Sequence, residues 1–196
     1  MFPISIQPSS LNITETGSYN LKLSTYGKSN SSPDRDQWVD DLNNIRTDFV
    51  GIRFDTNSGW NDNSLVIQGV DSYAQVNYCP FPSGYDIDRD GKTIEIDFKT
   101  ERVDREDDVV IRIGHENNAH IDITTNAATL YLGNEDVVHT NFKANERIKL
   151  AFIFNKADGS KNNNLVYIVN NGILERAASM GSTISYNNQN GKIIIG

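Results

Sequence analysis

At 196 residues the chain is long enough for one β-sandwich of generous size with a substantial core. A formal charge of −8, with Lys and Arg scattered rather than clustered, excludes the basic footprint that nucleic acid or an anionic membrane surface calls for. Cys79 is the one cysteine, which excludes an intrachain disulfide; no stretch reaches membrane-spanning length, and Met1 to Leu11 does not read as a secretory leader.

In chain order, residues 1 to 46 read as an N-terminal arm or lead-in. Tyr19, Leu21 and Leu23 alternate with polar residues as one strand, and Gly27 to Ser32 is a polar loop. Ser32-Pro33-Asp34 supplies an N-cap, a first-turn proline and an acid, and Trp38, Leu42 and Ile45 follow at helical spacing, so the pattern predicts a short helix there.

Residues 47 to 196 read as the sandwich domain, because short alternating runs are broken by turn clusters about every ten residues. Strands are predicted over 49–54, 64–68, 74–78, 92–100, 109–114, 120–124, 129–132, 146–155, 165–170, 173–178 and 192–195. In the strand over 146–155, Ile148, Leu150, Phe152 and Phe154 share one face, which predicts a central place in its sheet. Asn170-Asn171-Gly172 predicts a tight hairpin, since Asn-Gly accommodates the positive φ angles it requires. The chain stops on the apolar run Lys192 to Ile195 and Gly196. That ending predicts either an edge strand or a sheet completed by a partner or by further sequence.

Four segments carry a resemblance: Gly91-Lys92-Thr93-Ile94-Glu95-Ile96-Asp97-Phe98, Glu146 to Phe152, Leu165 to Ile173, and Lys192 to Gly196. With the lead-in Leu21 to Asn30, Trp38 and Ser58-Gly59-Trp60, their order resembles the laminin G-like, concanavalin A-like jelly-roll domains of large virion structural proteins of tailed bacteriophages. The resemblance covers most of the chain, and its motifs are apolar strands with turns rather than chemical signatures. It implies an all-β, antiparallel jelly-roll β-sandwich. It also implies a non-enzymatic virion component, oligomeric, contacting other virion proteins or a host surface glycan. In such domains a further strand normally follows the last apolar run, which implies that this chain is a portion of a longer protein.

Asp86-Ile87-Asp88-Arg89-Asp90-Gly91, with Asp97 six residues beyond the glycine, matches the spacing of a calcium loop except that Asp stands where Glu closes it. Asp86, Asp88, Asp90 and Asp97 are therefore the candidate calcium ligands, set against a plain solvated acidic turn. Calcium is the one cofactor the sequence suggests. Glu95, Asp97 and Lys99 share a strand face. Concanavalin-like glucanases use three acids in such a row, and Lys99 breaks the set, so no catalytic residue is assigned. His115, His120 and His139, the three histidines, have no metal-ligand spacing and read as surface polar residues.

Trp60, Tyr85, Tyr131 and Tyr186 sit in or beside turns. Each is a candidate platform for a sugar ring or a partner protein, set against the favoured reading that each caps an end of the core, since aromatics are often mostly buried. An extracellular carbohydrate-binding module is the alternative function, and a glycoside hydrolase the remote one.

Overall fold

The computed structural model describes residues 5–6, 8–15, 18–61, 63–68, 71–81, 91–100, 108–115, 118–133, 135–155, 164–180 and 191–196. Seventeen strands run through them: β1 (Ser5–Ile6), β2 (Ser10–Glu15), β3 (Ser18–Ser24), β4 (Trp38–Val39), β5 (Arg46–Val50), β6 (Gly59–Asn61), β7 (Ser64–Gln68), β8 (Tyr73–Val76) and β9 (Lys92–Lys99). They continue as β10 (Ile111–Gly114), β11 (Ala119–Ile123), β12 (Ala127–Leu132), β13 (Glu135–Asn141), β14 (Arg147–Asn155), β15 (Asn164–Asn170), β16 (Ile173–Met180) and β17 (Lys192–Ile195).

Two sheets make the sandwich. One has six strands in the order β16-β15-β14-β9-β2-β3, the other eight in the order β13-β12-β11-β10-β17-β8-β5-β4, and a small sheet β1-β7-β6 stands beside them. The pairings are antiparallel. The fold is an all-β antiparallel sandwich consistent with a jelly roll.

Period-two alternation explains the layering. Ile94, Ile96 and Phe98 on β9 and Ile148, Leu150, Phe152 and Phe154 on β14 are buried, while Glu95, Arg147 and Lys149 between them are exposed. Ile111 and Ile113 on β10, Ile121 and Ile123 on β11, and Ile193 and Ile195 on β17 join them in one core cluster. Each such side chain contributes roughly 1.5–3 kcal/mol on full burial. At one open side, Glu175 of β16 accepts hydrogen bonds from Thr140 of β13 and, at 3.3 Å, from Asn170 Nδ2, so a polar contact joins the two sheets.

β14 lies inside its sheet, between β9 and β15. The 170–172 hairpin forms with Asn171 at φ 50° and Gly172 at φ 84°. Three expectations need correction. The helix near residues 33–45 is replaced by turns and β4: the Asp40 carboxylate accepts hydrogen bonds from the Leu42 and Asn43 amides, and this local turn outcompetes the helix. Leu42, expected on an apolar helix face, is exposed, whereas Trp38 is fully buried with Nε1 donating to the Ser24 carbonyl at 3.0 Å.

The lead-in up to residue 46 is not separate from the sandwich. β2 and β3 extend the six-stranded sheet, and β4 pairs with β5 directly across the expected boundary at 46/47. The final run is not an edge either, because β17 is paired on one side with β10 and on the other with β8.

Candidate functional site: the outer face of the eight-stranded sheet

Strand register places one polar row across the solvent side of the larger sheet. His139 of β13 opposes Thr129 of β12, Thr129 opposes Asp122 of β11, and Asp122 opposes Arg112 of β10. Beyond Ile194 of β17 the row continues through Gln75 of β8 to Asp48 of β5. Their neighbours along each strand point into the core, so these side chains share the outer face.

The row is held by its own bonds. Arg112 grips Asp122 with two parallel contacts, Nε to Oδ1 at 2.7 Å and Nη2 to Oδ2 at 2.8 Å. Thr129 Oγ1 lies 3.0 Å from His139 Nδ1. Farther along, Gln75 Nε2 donates to Asn77 Oδ1 at 3.2 Å, and Asn77 Nδ2 donates to Asp48 Oδ2 at 2.9 Å.

A second row lies alongside, with Tyr131 opposite His120 and His120 opposite Gly114. The rings of His120 and Tyr131 stack at 4.9 Å between centroids and 14° between planes, within the range of aromatic contacts. His120 is only 5% exposed. Its Nδ1 donates to the Asn118 carbonyl at 3.0 Å, and its Nε2 stands 3.8 Å from Asp122 Oδ2. Gly114 has φ 109°, and a Cβ there would lie 2.4 Å from the Ala119 carbonyl oxygen and 3.2 Å from the His120 Cβ. A residue without a side chain is what lets β11 and its histidine approach.

Of the aromatic platforms expected from sequence, Tyr131 is half-buried on this face, with one side of its ring taken by His120. Trp60 is not available for stacking. It is 5% exposed, donates from Nε1 to the Arg35 carbonyl at 2.6 Å, and sits edge-on to Trp38 and Phe49 at 6.0 Å each. The reason is the β6–β7 hairpin, which turns the indole inward to close the core at the β4–β5 edge. Tyr85 and Tyr186 lie outside the described residues, as do Asp86, Asp88 and Asp90.

Asp97, the remaining calcium candidate, is on the outer face of the six-stranded sheet. Its carboxylate receives Arg147 Nε at 2.6 Å and faces Lys149 Nζ at 3.9 Å. Cationic partners thus already occupy it. Glu95 is exposed on the same face, with Lys99 half-buried beyond Asp97. His115 and His120 flank Asn118, whose Nδ2 is 3.4 Å from His115 Nδ1. Among the described residues no group of three or more His, Cys, Asp and Glu side chains is arranged to hold a metal ion.

Arg112, Asp122 and Thr129 were not singled out from the sequence. The available signal was a lone charge between isoleucines, in Ile111-Arg112-Ile113 and again in Ile121-Asp122-Ile123. Only the register of β10 against β11 turns those two isolated charges into a pair. Compared with protein-family profiles, with characterised proteins and with solved structures, the chain matches none.

Proposed function

We propose that this protein is a non-enzymatic structural and binding component of a tailed-phage virion, meeting neighbouring subunits or a host surface glycan through the outer face of the eight-stranded sheet. One observation carries the placement on that face: its polar side chains hold one another in three local groups, Thr129 with His139, Arg112 with Asp122, and Gln75 with Asn77 and Asp48. A surface ordered before contact loses little side-chain freedom on binding, which favours recognition of a polar partner. The resemblance of the strand segments to phage virion domains supplies the biological setting, and the sandwich fold agrees with it.

The acidic row on the opposite face supports a binding role over glycoside chemistry. Two free carboxyl groups flanking a glycosidic bond are what such hydrolysis requires. Here Asp97 is engaged by Arg147 and Lys149, and the third place in the row is Lys99.

The experiment is fractionation of assembled particles with the tagged full chain. The protein is expected to sediment with particles, and Arg112→Glu is expected to release it while leaving the circular dichroism spectrum β-dominated. Recovery of the unmodified protein solely as a free monomer, in a preparation where particles are intact, overturns the proposal.

A further inference from the structure

A separate cleft opens between the segment that links β5 to β6, the end of β7 at Gln68, and Asp71 and Ser72 just before β8. Its volume is about 470 Å³, within the range of roughly 300–1,000 Å³ usual for small-molecule sites. Arg53, Asp55, Asn57, Gln68 and Asp71 supply its functional groups.

The walls are fixed by backbone contacts. Asp55 Oδ1 accepts from the amides of Asn57 at 2.8 Å and Ser58 at 3.1 Å, which shapes the 55–58 turn. Asn30 clamps that turn from behind, with Nδ2 donating to the Asp55 carbonyl at 2.6 Å and Oδ1 accepting from the Trp60 amide at 2.7 Å. On the far wall Ser72 Oγ donates to the Gly51 carbonyl at 3.0 Å. Gly51 has φ 66°, and a Cβ there would lie 2.9 Å from the Asp71 carbonyl oxygen, so the two walls approach where there is no side chain.

The charges select the ligand class. Two carboxylates disfavour a phosphate or carboxylate guest, and the Arg53 guanidinium among them disfavours a bare metal cation. No ion pair joins Arg53 to Asp55 or Asp71 among the described residues, and all three border the cleft. A neutral hydroxyl-rich molecule satisfies all of them at once. Its hydroxyls donate to the Asp oxygens and accept from Arg53 and from the side-chain amides of Asn57 and Gln68.

We propose that this cleft binds a neutral saccharide unit. The site is distinct from the Tyr131 face and from the acidic 86–90 segment, and it does not depend on membership of a virion. With no aromatic ring among its lining residues, one cleft binds weakly, and several copies on an assembly gain avidity.

The test is a titration of the isotopically labelled full chain, followed by amide chemical shifts, with the methyl glycosides of glucose, galactose, mannose and N-acetylglucosamine. At least one sugar is expected to shift Gly51, Arg53, Asn57, Gln68 and Ser72 together. Arg53→Ala and Asp71→Asn should each weaken that sugar about ten-fold, consistent with the loss of one charged hydrogen bond. Because both residues are exposed, the variants are expected to unfold at the parent temperature. The inference is overturned if no sugar perturbs the cleft, if perturbations fall at Arg112 and Tyr131 instead, or if inorganic phosphate shifts the same amides. A negative result here alongside intact sedimentation with particles removes the cleft alone. Loss of sedimentation with sugar binding retained removes only the virion role.

Discussion

Among the described residues, each of the two large sheets carries an Arg–Asp pair on its outer face, and the two pairs differ in geometry and exposure more than in bond length. Arg112 and Asp122 are directly opposed across β10 and β11, and the guanidinium meets both carboxylate oxygens. Their side chains are 28% and 12% exposed. Arg147 reaches Asp97 diagonally, since Lys149 is the residue directly opposite. It makes one contact at 2.6 Å and gives Nη2 to Ser9 Oγ, at 45% and 20% side-chain exposure. A direct register thus yields a forked, half-desolvated pair embedded beside His120 and Tyr131. The diagonal one yields a wetter contact shared among several partners. Ion pairs of the second kind are worth about 0–1 kcal/mol.

The comparison breaks most visibly at the close approach that supports the first pair. Gly114→Ala forces a side chain into a left-handed conformation and against the β11 backbone, and a loss of about 3 kcal/mol in urea unfolding is expected. An unchanged midpoint would mean that β10 and β11 tolerate separation. Asp122→Ala should cost about 2 kcal/mol, a loss that ~0.5 M salt leaves largely in place, because the stranded arginine is partly buried and salt screens it far less than an exposed charge. Asp97→Ala should cost less than about 1 kcal/mol and lose its effect in the same salt. Equal costs for the two aspartates would abolish the distinction drawn between the faces.

Tyr131→Ala removes a ring stack at the margin of the first pair and should cost about 1 kcal/mol. The resonances of the His120 ring would report the change directly. The smallest effect concerns Cys79, where burial raises the thiol above its usual 9.0, opposed by hydrogen bonding from the Phe81 backbone and by the nearby Lys92 charge. A raised folded value means that stability from the neutral thiol is complete below 9.0 and is lost as pH climbs through the folded value. Native protein should therefore react with iodoacetamide more slowly than urea-unfolded protein, and Cys79→Ser should flatten the fall in stability above that pH. Equal alkylation rates in the two states would contradict the burial argument.

Much of the fold was legible because it is written in local alternation. The runs over 64–68 and 192–195 coincide with β7 and β17, and most of the others agree within a few residues. β13 escaped because only Val138 and Thr140 of Glu135–Asn141 are buried, too few to stand out from a polar stretch. β2 escaped for a similar reason, with Leu11 and Ile13 as its buried apolar pair. The helix expected near Trp38 failed because spacing alone does not weigh the Asp40 side chain, whose bonds to nearby amides fix a turn instead.

The candidate site was less legible than the fold. Tyr131 and His120 were noticed separately, one as an aromatic platform and the other as a surface histidine, and their stacking depends on β11 lying against β12. Trp60 had the composition of a binding aromatic, but whether an indole near a turn points inward depends on the core available beneath it.

By itself the sequence determined that the chain is all-β, that Ile148, Leu150, Phe152 and Phe154 face a core, and that residues 170–172 turn a hairpin. Those properties follow from the two-residue repeat of a strand and from the backbone freedom of Asn-Gly. Tertiary structure alone decided that β17 is interior, that β2, β3 and β4 belong to the sandwich, and that Arg112 meets Asp122. Such outcomes depend on register between strands distant in sequence. Many registers bury the same apolar side chains, and what separates them is how the whole core packs.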